Sequence, residues 1–262
     1  MRLLFIGDIV GKPGRRAVAQ LLPPVMQDHH IDIVIANCEN AAGGFGVTRD
    51  VVDELFRSRI DILTSGNHIW DKKEVLEFIE YYPALLRPAN YPAGTPGGGS
   101  IISSNGAGER VAVINLEGRV FMRPLDCPFR AAEKEIERLS AVTNIIIVDM
   151  HAEATSEKQA MGWFLDGRVS AVIGTHTHVQ TADEKILPMG TGYITDAGMT
   201  GSFDSVLGIR KDIAVGKFLS MMPVKFDVAK GDVWLQGVIL DIDGKSGRTR
   251  AIERVNIEMK GC

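Results

Sequence analysis

Five short apolar runs in this chain each end in polar residues able to hold a metal, and that repeated pattern restricts the fold more than any other feature. Leu3–Ile6 runs into Gly7-Asp8. Ile31–Ala36 runs into Asn37-Cys38-Glu39-Asn40, and Ile60–Leu63 into Thr64-Ser65-Gly66-Asn67-His68. Ile145–Val148 leads to Asp149-Met150-His151, and Ala171–Ile173 to Gly174-Thr175-His176-Thr177-His178. In an α/β sheet the loops leaving the carboxyl ends of strands converge on one crevice, where ligands bind. The pattern therefore predicts a metal-dependent site assembled from five strand ends.

Between these runs, helix and strand signals alternate. Lys12-Pro13-Gly14 opens a helical stretch with Ala17, Val18, Leu21 and Leu22 on one side, which Pro23-Pro24 should end or kink. Thr48 is placed to cap a helix carrying Val51, Val52, Leu55 and Phe56. Asp71 starts another, with Val75, Leu76 and Ile79 turned inward, and residues 83–99 read as a long irregular connection. Ile101–Ile102 and Val111–Ile114 follow as strands, and Pro128–Leu139 and Ser156–Leu165 as helices, the first with Pro in its opening turn. From Lys185 onward the pattern turns to strand: Tyr193–Thr195, Pro223–Val228, Val233–Ile242 and Thr249–Ile257. The later metal-type residues must meet the earlier ones, so residues 1–262 are expected to form a single domain. The fold class expected is α/β, with helices flanking a mixed, two-sheet core.

Composition narrows the function. At 45% hydrophobic and 24% charged the chain is ordinary for a globular protein, and its net charge of −4 gives no basic face for long nucleic acid. Small anionic substrates remain open, because bound cations outweigh nearby carboxylates. Cys38, Cys127 and Cys262 are scattered and lack CxxC spacing, which argues against a disulfide framework or a thiolate zinc site. The first apolar stretch is too short for a signal peptide and nothing reaches membrane-spanning length, so the cytoplasm is the expected location.

Taken singly, each polar cluster has a plainer reading. Asp8 alone would close a turn or cap a helix. Gly7 to Pro13 fails as a phosphate loop, with three residues between the glycines and Pro after Lys12. Glu39-Asn40 alone is loop chemistry, Asn67 a turn residue and His68 a core histidine. His29-His30 ends a helix and serves its dipole or solvent. The other four of the six histidines follow apolar runs directly, and His176 and His178, two apart in extended backbone, point to one side. Five such clusters together leave the plain readings behind.

Gly7-Asp8, Glu39-Asn40, Gly66-Asn67-His68-Ile69-Trp70-Asp71, His151 and Gly174-Thr175-His176-Thr177-His178 resemble the ordered motif blocks of calcineurin-like metallophosphoesterases, and more closely their bacterial YmdB-like branch. The resemblance runs from Leu4 through Tyr193-Ile194-Thr195-Asp196-Ala197-Gly198-Met199-Thr200-Gly201. The wider family has Asp-x-His in its first block and a bridging Asp in its second. Here Val10 stands where that His would be and Glu39 offers the carboxylate, with Asn40 the natural replacement, as in the YmdB-like branch.

That resemblance implies a four-layer α/β/β/α fold and two metals. Asp8, Asn40 and His178 would hold the first, Asn67, His151 and His176 the second, and Glu39 would bridge them. Oxygen and imidazole donors without thiolate favour Fe or Mn over structural zinc. It further implies a phosphodiesterase opening 2′,3′-cyclic nucleotides to 3′-nucleotides, by in-line attack of a bridging hydroxide with His68 protonating the leaving oxygen. Asp149 and Asp196 are candidates to orient imidazoles, and Phe45 with Thr200-Gly201-Ser202-Phe203 to frame a base. Two other readings stay open, a scaffold in RNA metabolism with a weakly active site and a phosphomonoesterase or protein phosphatase. A homo-oligomer is expected, since the strand-rich C-terminal third offers an edge or face for self-association.

Overall fold

The computed structural model describes residues 1–260, so Cys262 lies outside the described residues. In chain order the elements are β1 Arg2–Ile6, β2 Asp8–Ile9, α1 Gly11–Asp28, β3 Ile33–Asn37, α2 Arg49–Arg57, β4 Ile62–Thr64 and α3 Val75–Phe78. Then come β5 Ser100–Ser104, β6 Arg110–Glu117, α4 Pro128–Leu139, β7 Ile146–His151, α5 Thr155–Leu165 and β8 Ala171–Thr175. The chain continues through β9 Lys185–Ile186, β10 Gly192–Ile194, β11 Met199–Ser202, α6 Lys211–Ser220, β12 Val233–Ile242 and β13 Thr249–Glu258.

Two sheets form. The first runs β2-β11-β12-β1-β3-β4 with β13 on β12, and the second β5-β6-β7-β8-β10-β9. Period-two alternation explains how they stack. Leu3, Phe5, Ile33 and Ile35 face inward and meet Val111, Val113, Ile147 and Ile173 from the other sheet in one buried layer. The intervening Leu4, Ile6 and Val34 face outward against Val18 and Leu22 of α1 and Leu55 of α2. Ala112, Ile114 and Val148 do the same on the far side, against Ile136 of α4 and Met161 of α5. This is the four-layer α/β/β/α arrangement expected, and residues 83–99 carry the chain from one sheet to the other. Leu85 packs with the first sheet's outer layer while Leu86 lies between the sheets.

Several expectations need correction. α1 runs straight through Pro23 and Pro24 to Asp28. Both prolines, and the Ala19 and Gln20 residues whose carbonyls they free, lie on the water-facing side, while Leu22 and Val25 hold the turn in the core. Thr48 occupies the cap position of α2 without a side-chain cap bond; the Glu74 carboxylate accepts from the Arg49 N–H instead, at 3.1 Å. No helix starts at Asp71. Val75, Phe78 and Ile79 are buried at i, i+3, i+4 spacing, and Leu76 is 55% exposed. Residues 223–228 form no strand beyond a single bridge of Val228 to Ile209. α6, in the region read as all strand, has no core face: Ala214 is its one buried residue, so it leaves no amphipathic signature.

Candidate metal centre

Asp8 reaches the centre through a tight turn. A Cβ on Gly7 would lie 2.1 Å from the Gly198 carbonyl oxygen, so only glycine lets β2 settle beside β11. The Asp8 N–H then donates to that carbonyl at 3.0 Å and the side chain is fully buried. Its Oδ2 accepts from the His176 backbone N–H at 3.1 Å, whereas Oδ1 has no hydrogen-bond partner among the described residues and faces His178 Nε2 at 3.7 Å. Burial pushes this carboxyl above the usual range, and the His178 and His151 charges pull the other way.

β3 delivers Glu39. Asn37, on the inward face with Ile33 and Ile35, accepts from the Glu39 N–H through Oδ1 at 3.1 Å. Glu39 Oε1 lies 3.1 Å from His151 Nε2 and accepts from Asn40 Nδ2 at 3.3 Å, while Oε2 accepts from the His68 N–H at 2.9 Å. Burial works against its charge, but the His151 and His68 contacts outweigh that and lower it to about 2. Cys38, between them in sequence, packs in the outer apolar layer, its sulfur pointing away as expected.

The remaining ligand candidates gather around His151. Gly66 permits this, since a Cβ there would sit 2.0 Å from the His151 ring. Asn67 Oδ1 then stands 3.0 Å from His151 Nε2, and His176 Nδ1 also 3.0 Å. On the ring's other side, the Thr175 hydroxyl donates to Asp149 Oδ1 at 2.7 Å and lies 2.9 Å from His151 Nδ1. With its proton committed to Asp149, that hydroxyl accepts from Nδ1–H and turns Nε2 toward the cluster. Asp149 therefore orients an imidazole, through Thr175. Asp196 touches no imidazole. It accepts from the Thr177 N–H at 3.0 Å and hydroxyl at 2.7 Å, and pairs with Lys158 Nζ at 2.8 Å.

That clamp holds a strained loop. His176 and His178 have φ of 98° and 62°, left-handed values rare for non-glycine residues, not the extended backbone expected. The two rings accordingly part: His176 joins His151, and His178 joins Asp8 and lies 3.2 Å from Asn40 Nδ2. Lys158 and Asp196 are both fully buried. Lys158→Ala should lower stability to urea by about 3–5 kcal/mol, the usual cost of stranding one member of a buried pair. A variant as stable as the wild type would show that the loop does not depend on this pair.

All seven ligand candidates are thus in one contact network, and Val10 adds only an apolar wall. His68 stands beside them with Nδ1 2.7 Å from Asp71 Oδ2 and its ring centroid 5.0 Å from that of Phe45, edge to face. Phe45, a candidate to frame a base, lines a cavity of about 380 Å³ over the site with Phe226, Leu207 and Lys217. Phe203 is not among the residues lining that cavity and packs on Trp234 instead. His29 lies elsewhere, 3.9 Å from Glu253. Sequence reasoning missed Asn37, whose signal was its place in the inward period of β3, and Lys158, which carried none. It also missed Glu117, buried with neither carboxylate oxygen hydrogen-bonded among the described residues and raised to about 7 by that burial.

The cluster fits a cation. One ring nitrogen of His151 has a carboxylate oxygen, an amide oxygen and a second imidazole nitrogen within 3.1 Å, and a single proton serves only one of them. The nearby carboxylates, Glu39 foremost, raise His151 to about 9 against the effect of burial, so positive charge is drawn to this point. His176 is lowered to about 3 by burial and by His151, which keeps its nitrogen available as a donor. Ligand atoms of Glu39, His151 and His176 lie within 4.8 Å of one another. The buried, unpartnered Asp8 Oδ1 marks a second point of the same kind.

Known proteins bear on this geometry. The chain is 50% identical over 258 residues to the 2′,3′-cyclic-nucleotide 2′-phosphodiesterase of Bacillus subtilis strain 168, covering 98% of this chain and 97% of that relative. A crystal structure of a hypothetical protein from Thermus thermophilus superposes with a TM-score of 0.92 at 43% identity, over 98% of this chain and 99% of that one. A novel phosphatase from Mycoplasma pneumoniae gives a TM-score of 0.92 at 32% identity, over 98% and 93%. The family model described as YmdB-like protein matches residues 4–255. With the motif blocks expected of that branch gathered into one metal-binding cluster, the chain belongs to the YmdB-like family.

Proposed function

We propose that this chain is a dinuclear metal phosphodiesterase that hydrolyses 2′,3′-cyclic nucleotides to 3′-nucleotides. The observation that carries the reading is the pair of cation-seeking points, one at His151 Nε2 and one at Asp8 Oδ1, with Glu39 between them. Asp8, Asn40 and His178 would hold one cation, Asn67, His151 and His176 the other, and Glu39 would serve both, with Fe or Mn the metals suited to this donor set. When bound, such a pair acidifies water near neutral pH and offsets phosphate charge. His68 supplies the proton the departing 2′ oxygen needs, held by Asp71 on Nδ1 so that its other nitrogen serves the substrate. Phe45 and Phe226, 6.2 Å apart, wall the cavity that takes the base. The whole chain acts as one domain in this reading.

Purified protein incubated with 2′,3′-cyclic AMP and Mn²⁺ should yield the 3′-monophosphate by chromatography, and chelator should abolish turnover. A chromogenic phosphodiester should be cleaved in preference to the corresponding monoester. Preference for the monoester would favour a phosphomonoesterase, and no turnover on any of these would favour a scaffold.

A further inference from the structure

The metal centre opens to two sides. One is the cavity of Phe45, Phe226 and Lys217. The other, about 290 Å³, is lined by Asn67, Phe121, Met122, Arg123 and His176, so His176 stands between the two. A cyclic nucleotide has one base and fills one side. Each cavity nevertheless brings an aromatic ring and a cationic side chain together: Lys217 Nζ lies 4.5 Å from the Phe226 centroid on the first, and Phe121 and Arg123 line the second. That is the chemistry that stacks a base and neutralises a phosphodiester backbone.

Phe121 is the unusual member. The residue is 89% exposed and its φ is 62°, a conformation that is an outlier for a bulky side chain. Among the described residues no other ring stacks on it. Backbone strain of this kind concentrates at ligand clamps. Here it presents an apolar face beside two candidate ligands.

We propose that Phe121, Met122 and Arg123 form a second nucleoside subsite, and that the enzyme also cleaves linear dinucleoside monophosphates lying across both cavities. This inference rests on the phosphodiesterase reading. The departing nucleoside occupies the Phe45 side, where His68 stands, and the nucleoside that keeps the phosphate stacks on Phe121. Water oxygen forms the new P–O bond and gives up its proton to solvent. The P–O bond to the departing nucleoside breaks, and its oxygen takes the His68 proton. The products are one nucleoside and one nucleoside monophosphate.

Two substrates test it with the metal-loaded enzyme: adenylyl-adenosine and 2′,3′-cyclic AMP. The wild type should hydrolyse both. Phe121→Ala should lose about 5- to 160-fold in kcat/KM on the linear substrate, the range expected from one stacked base, and Arg123→Ala should also lose activity on it. On the cyclic substrate they should stay within about twofold, with Tm unchanged, and Phe121→Trp should restore the linear activity. Cleavage of the cyclic substrate without the linear one, or equal losses on both, overturns the second subsite and leaves the phosphodiesterase reading standing. Cleavage of neither by the wild type removes both.

Discussion

Glu39→Gln will leave the protein folded, strip its metal centre and take turnover down by more than about 100-fold. Losing even a hydrogen-bond partner of a metal ligand costs about 10–100-fold in metal affinity, and Glu39 is asked to touch both cations directly. The amide makes matters worse in a specific way. Glu39 Oε2 accepts from the His68 N–H at 2.9 Å, so the Gln oxygen stays there and its NH₂ turns toward His151 and Asn40, where a cation should sit. Elemental analysis of the purified variant measures this directly. Two metals per chain in both wild type and Glu39→Gln would end the bridging assignment.

His68→Ala should separate chemistry from assembly. The bond from residue 68 to Glu39 runs through the backbone N–H, which alanine retains, so the metal content should match the wild type. The imidazole that Asp71 holds at 2.7 Å is lost. General acid catalysis contributes about 10²–10⁴-fold, and turnover on nucleotide esters should fall by that much. With p-nitrophenolate, which departs without a proton, the loss should be far smaller. Equal losses on the two leaving groups would take the acid role away from His68.

These positions were legible in the sequence because strand ends are. A run such as Leu3–Ile6 or Ala171–Ile173 can lie between two apolar layers only as a buried strand, and the residues after it must emerge at the sheet edge. Physics less local than that stayed hidden. The prolines of α1 read as breakers because nothing in sequence says which carbonyls face water. The helix Lys211–Ser220 gave no stripe, since its apolar Val215, Phe218 and Leu219 stay exposed rather than entering a core, and of these Phe218 lines the cavity. His176 and His178 follow no periodic rule, because the loop that presents them is bent by a clamp from α5. Lys158 on a helix reads as a solvated charge, and its Asp196 partner lies 38 residues away.

The place of β12 in the first sheet has a consequence in time. β1 lies between β3, its near neighbour in sequence, and β12, with Leu4 opposite Ile239. At about 5–20 residues per second of synthesis, β1 waits roughly ten to fifty seconds for that distant partner. Throughout the wait a strand of Leu3, Leu4, Phe5 and Ile6 shows an unsatisfied edge, the surface on which nascent chains join wrongly. β11, which aligns Asp8, also depends on β12 for its other side. A chain stalled before Val233 therefore carries every candidate ligand already made, yet lacks the strand that joins β1 to the β11 beside which the first of them is set.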